Sequence, residues 1–142
     1  MKNTLLITWI MLALAGCTSL HEPAAEHSEL EVTRQFTGTI LSPDPIIKQI
    51  LALADAGILT DVCMTRSVPA QIIATGPENV LACISSPGGR WLAPQQECEY
   101  MSEEACTARG GQFNPCASVC RHDPKAETCV LSCVPVCGFF TQ

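Results

Sequence analysis

The chain of 142 residues holds ten cysteines, and five of them crowd the stretch FNPCASVCRHDPKAETCVLSCVPVC, Phe113 to Cys137. Thiols so spaced could hold a metal, attack a substrate or close as disulfides. Cys116/Cys120 and Cys129/Cys133 are C-x3-C units with Cys137 continuing the period, a spacing that structural zinc sites accept. Cys120-Arg121-His122-Asp123 sets a thiol beside cations and a carboxylate, and cationic neighbours favour the thiolate. Adjacency along the chain is not alignment in space, and a cysteine already in a disulfide cannot attack. His122, followed by Asp123 and Pro124, reads as a turn residue. No G-x-S-x-G, H-E-x-x-H or phosphate-loop motif occurs. The expectation is no catalytic residue, no cofactor and no metal ligand, with the sulfurs left to serve as cross-links if the chain leaves the reducing cytosol.

The start of the chain, MKNTLLITWIMLALAGC, answers that condition. Lys2 and an apolar run from Leu5 to Ala15 make a secretory leader, too short to span a bilayer core. Leu14-Ala15-Gly16-Cys17 resembles the lipobox of bacterial lipoproteins. That resemblance implies a diacylglycerol on the Cys17 sulfur and cleavage before Cys17. Thr18, in the place where Asp would signal inner-membrane retention, implies passage to the outer membrane. Several acyl chains anchor a protein durably where one does not. Losing Lys2 with the leader leaves 7 Lys and Arg against all 14 acidic residues. No basic patch remains for nucleic acid or anionic headgroups.

Behind residues 1–16 as leader, residues 17–29 read as a lipidated flexible tether, too poor in apolar residues to repay ordering. His21 and His27 within it receive no role. Residues 30–80 read as a small α+β unit of β-α-β-β order. Leu30, Val32, Phe36 and Ile40 alternate along a half-buried strand. Asp44 as N-cap and Pro45 at the first position open a helix whose apolar face is Ile46, Ile47, Ile50, Leu51 and Ala54, closed by Gly57. ILTDVCMTRS and AQIIATG make two strands, with Pro69 in the link between them. Such a unit buries only a small core alone and needs a neighbour to pack on.

Residues 81–142 read as a cysteine-rich, disulfide-stapled and mostly irregular region. ACISSPGGRW from Ala82 and ACTARGGQF from Ala105 repeat one pattern: Ala-Cys, a spacer, Gly-Gly, one residue, then an aromatic. Paired glycines turn a chain sharply. Trp91 and Phe113 would then land on the neighbouring disulfides, as in a duplicated stapled loop. Asn114 and Asp123 ahead of Pro115 and Pro124 predict one or two short helical turns before an irregular last strand. With Cys17 as the lipid carrier, the eight cysteines Cys83, Cys98, Cys106, Cys116, Cys120, Cys129, Cys133 and Cys137 can make four disulfides, which leaves Cys63 over as the candidate odd thiol. Eight cysteines allow on the order of a hundred pairings; proximity favours Cys83 with Cys98 alone.

Cys133-Val134-Pro135-Val136-Cys137 resembles part of the trypsin-inhibitor-like cysteine-rich family, without that family's following C-x-C cysteine. GGQFNPCASVCRHDP is similar to small bacterial cysteine-rich exported proteins of unassigned function. The expected function is a lipid-anchored outer-membrane lipoprotein acting as a non-enzymatic envelope binding or structural module, its partners the membrane and an envelope protein. The alternatives are a surface-displayed peptidase inhibitor, using a rigid loop around Arg121 to Lys125, and a periplasmic thiol or metal handler.

Overall fold

The computed structural model describes residues 30–39, 41, 43–126 and 128–140. The expected leader, the lipobox-like stretch ending at Cys17, the histidines at 21 and 27, and Ile40 of the first expected strand lie outside the described residues.

Strand β1 (Glu31–Thr37), helix α1 (Pro45–Asp55), and strands β2 (Asp61–Met64) and β3 (Gln71–Pro77) follow in the expected β-α-β-β order. The strands form an antiparallel sheet, β1-β3-β2, with Val32 opposite Gly76 and Cys63 opposite Ile73. Ile72 and Ala74 are fully buried, and the residues between them are half-exposed, the period-two pattern of a sheet with one covered face. Helix α1 starts where its cap chemistry requires: the Asp44 side chain accepts from the Ile46 N–H at 2.8 Å, and Pro45 occupies the first turn, where no donor is lost. It buries Ile47, Ile50 and Leu53, each contributing about 1.5–3 kcal/mol relative to exposure.

Helix α2 (Glu78–Ser85) follows β3 directly and was not expected from the sequence. It crosses the 80/81 boundary drawn between the α+β unit and the cysteine-rich region, and Val80 to Ile84 are all buried. One apolar core therefore runs from Ile47 and Ile50 through α2 to Trp91, Met101 and three of the buried cysteines. Gln49 of α1 adds a polar link: its Nε2 donates to Gly89 O at 3.0 Å and its Oε1 accepts from Trp91 N at 2.6 Å. This occupies part of the edge of the next sheet, as an adjoining strand would.

Past α2 the chain is more regular than its composition predicted. Strands β4 (Arg90–Leu92) and β5 (Glu97–Glu99), helix α3 (Glu103–Thr107), and strands β6 (Gln112–Ser118) and β7 (Cys133–Gly138) build a second antiparallel sheet, ordered β4-β5-β7-β6. Among the described residues no helix forms after Phe113. Asn114 Oδ1 accepts from Cys116 N, and Asp123 Oδ1 from Lys125 N, so these residues close side-chain turns instead of capping helices. The local preference that makes Asn and Asp good caps serves equally well in a turn, and the ladder to β7 decides between them.

Four disulfides close this region: Cys83–Cys98, Cys106–Cys137, Cys116–Cys133 and Cys120–Cys129. The last three nest along the β6–β7 hairpin. Cys63, expected to be left over, is itself disulfide-bonded, and no free cysteine occurs among the described residues. The even count explains the correction: eight sulfurs close on one another, and Cys63 bonds a sulfur outside that set.

The internal repeat is a structural one. In each copy a short helix carries a fully buried cysteine, Cys83 on α2 and Cys106 on α3. A glycine at positive φ follows, Gly88 at 73° and Gly110 at 71°. The next glycine leaves no room for a Cβ: at Gly89 it would run into the Cys83 carbonyl, and at Gly111 into the Cys106 and Cys137 sulfurs. Then comes a strand whose aromatic sits opposite the cysteine bonded to the helix, Trp91 opposite Cys98 and Phe113 opposite Cys137. Cys98 and Cys137 face each other across β5 and β7, at the centre of the sheet where the two copies meet.

Candidate functional site

Two features have chemistry beyond structure, and each draws residues from both copies of the repeat. The first is a charged clasp. Alternation in Glu97-Cys98-Glu99 sends Cys98 into the core and both carboxylates to the opposite face, where Glu97 is 8% and Glu99 7% exposed. Arg121, from the segment 119–132 that joins β6 to β7, spans them: Nε donates to Glu97 Oε2 and an Nη to Glu99 Oε1, each at 2.9 Å. Its other Nη donates to Ser118 O at 3.2 Å. His122 Nε2 donates to the same Glu97 oxygen at 2.6 Å, and Arg90 stands 3.4 Å from Glu99.

Burial alone would raise the Glu97 pKa. The hydrogen bonds from His122 and Arg121, with the guanidinium charge, outweigh it and hold the carboxyl below its ordinary 4.5. Burial alone would lower that of Arg121, and Glu97 and Glu99 reverse this and raise it. Every arm of Arg121 is thus committed, and the clasp is a lock: it holds a segment with almost no core of its own, only Ala117, Val134 and Val136 beneath it. Arg121 is turned inward, while Lys125 remains exposed. The residues of Cys120-Arg121-His122-Asp123 are not aligned as a nucleophile and base, since Cys120 is bonded to Cys129. Sequence reading missed the clasp; its signal was the Glu-x-Glu alternation, which puts two carboxylates on one strand face and calls for a cation.

The second feature is an open groove of about 930 Å³ between the start of α2 and the end of β7. Trp91 and Phe139 supply one wall, their ring centroids 5.9 Å apart and tilted by 39°. Phe139 N donates to Gln96 O at 2.9 Å, which ties the chain end to the β4–β5 link. Phe140 folds over Gly138, where a Cβ would meet its ring, and is 56% exposed. Val80, Ala93, Glu78, Asn79 and Arg109 are among the other residues that line it. A smaller cavity of about 470 Å³ lies beside Phe36, Ile46 and Ser85 and has no comparable aromatic wall. Concave, largely apolar sites with a few polar groups are the usual form of small-ligand pockets. Trp91 was legible in the sequence as a repeat position; Arg109, Phe139 and Phe140 were not, because nothing in their spacing links them before the chain folds.

Among the described residues no group of three or more His, Cys, Asp or Glu is placed to hold a metal ion. No helix among them is long and apolar enough to cross a membrane. Compared with known families, curated proteins and solved structures, the chain matches no family model, no protein and no structure.

Proposed function

We infer that this chain is a lipoprotein anchored through Cys17 to the bacterial outer membrane, and that its stapled body serves the envelope as a binding module without catalysis. The observation that carries the reading is a lipobox at the head of a body whose sulfurs are closed in disulfides, a chemistry that persists outside the reducing cytosol. The aromatic groove supports a binding role. Radiolabelled palmitate and membrane fractionation test the anchor: label in the outer-membrane fraction of the native chain, and none in Cys17→Ser, is the expected result. Persistent labelling of the variant would overturn it. Crosslinking in intact cells tests the binding role, with capture of an envelope component expected.

A second reading, a peptidase inhibitor, is favoured by one observation. Val130 and Leu131 are exposed, at 68% and 109%, between the stapled Cys129 and Cys133. A segment pre-organised in this way loses little entropy on binding. Stoichiometric inhibition of a subtilisin-like protease, lost on reduction, would promote it.

A further inference from the structure

The groove at Trp91 has a chemistry specific enough to name a ligand class, and the inference rests on the binding-module reading. Arg109 is the only cation among the residues that line it. Nη1 of Arg109 is committed, donating to Ala105 O at 2.9 Å at the end of α3. The opposite edge, Nε and the second Nη, makes no hydrogen bond; Nε is buried without a partner. The nearest carboxylate oxygen, Glu78 Oε1, stands 3.7 Å from Nε, an ion pair too long to be a hydrogen bond. That edge is the one that takes a carboxylate through two parallel bonds. The Glu78 side chain is part-exposed, at 37%, so it has a path to solvent. Trp91, Phe139 and Phe140 line the same groove, Trp91 largely buried and Phe140 56% exposed.

We propose that the groove binds a small organic carboxylate with a flat apolar body, its ring held among Trp91, Phe139 and Phe140 and its carboxylate taking the place of Glu78 on the edge of Arg109 that makes no hydrogen bond. The apolar contact supplies most of the affinity, and the guanidinium supplies the preference for an anion.

The test uses the mature chain from Cys17, exported without acylation and with its disulfides formed. Trp9 leaves with the leader, so Trp91 is its sole tryptophan and gives one indole N–H signal in an NMR spectrum. The probes are 2-naphthoate and the neutral 2-naphthylmethanol. Both should shift the Trp91 signal, with naphthoate bound about tenfold more tightly, one charge-assisted pair's worth of affinity. Arg109→Gln should abolish that preference and leave the alcohol's affinity as it was. If Arg109→Gln fails to fold, Glu78→Gln serves instead: removing the competing carboxylate should tighten naphthoate about threefold and leave the alcohol unchanged. An unmoved Trp91 signal, equal affinities in the native chain, or a preference that survives Arg109→Gln would overturn the proposal. Inert probes alongside a captured envelope partner would remove the ligand class and leave the binding-module reading standing. Bound probes with palmitate persisting on Cys17→Ser would remove the anchor and leave the groove.

Discussion

The two copies of the stapled unit differ mainly in how their strands are joined. In the first, β4 reaches β5 through the single turn at 93–96; in the second, β6 reaches β7 only after the long segment 119–132. The shared part is nearly the same in both: helix cysteine, glycine pair, aromatic opposite the bonded cysteine. The first copy is backed by α1 and α2 and shares their apolar core, whereas the extension of the second rests on three small buried residues. What replaces the missing core is covalent and ionic: Cys116–Cys133, Cys120–Cys129 and the Arg121 clasp. Lengthening a loop costs little closure entropy, but holding it in one conformation needs new interactions, and here sulfur and paired charge provide them.

The largest effect should come from cutting the staple that ties the second copy's helix into the common core. Replacing Cys106 and Cys137 by Ala removes a bridge spanning 31 residues and should cost ~4 kcal/mol, against ~2.5 kcal/mol for Cys120 and Cys129, which span 9. Chemical denaturation of the two double variants measures the difference; equal losses would mean that the bridge seated in the core holds no more of the second copy than the bridge in its extension.

Gly89→Ala should follow, at about 3 kcal/mol, because its Cβ meets the backbone of Cys83, which cannot move aside. Gly111→Ala meets side-chain sulfur and the Phe139 ring at 3.0 Å and should cost less, so thermal melts of this pair compare the two copies at equivalent positions.

Arg121→Ala should cost about 2 kcal/mol, since it leaves two poorly exposed carboxylates facing each other. The 119–132 segment should lose hydrogen-exchange protection while β4 and β5 keep theirs.

Acid gives the smallest effect. Glu97 titrates lower folded than unfolded, so its contribution is complete above the ordinary 4.5 and is lost as pH falls through the folded value. The melting-temperature gap between the native chain and Glu97→Gln should hold steady down to about pH 5 and shrink below pH 4.

How much of this the sequence disclosed follows from the range of the forces involved. Helix α1 was legible because its cap, its Pro and its apolar face are all local signals, and Asp44 and Pro45 sit where they were expected. The strands around Cys63 and Ile72 were legible from alternation. The repeat was legible because glycine pairs and Ala-Cys units are chemically conspicuous, and so was the Cys83–Cys98 bond. Helix α2 was not: its eight residues are too few to establish a period, and Pro77 ahead of it gives no side-chain cap. The β6–β7 ladder, whose register shifts between Asn114 and Ala117, was hidden by two prolines and five cysteines, whose cross-strand pairing exists only once the chain has closed. The groove and the clasp depend on contacts such as Arg121 with Glu97, 24 residues apart, which no local pattern encodes.

The account stands on sulfur doing in the second half what apolar packing does in the first, through one particular set of bonds. Peptide mapping of the unreduced mature protein by mass spectrometry reads those bonds directly. The expected fragments join Cys83 to Cys98, Cys106 to Cys137, Cys116 to Cys133 and Cys120 to Cys129, with the Cys63 peptide released only on reduction. Alkylated free thiols at these positions, or Cys106 and Cys98 exchanged between partners, would contradict it.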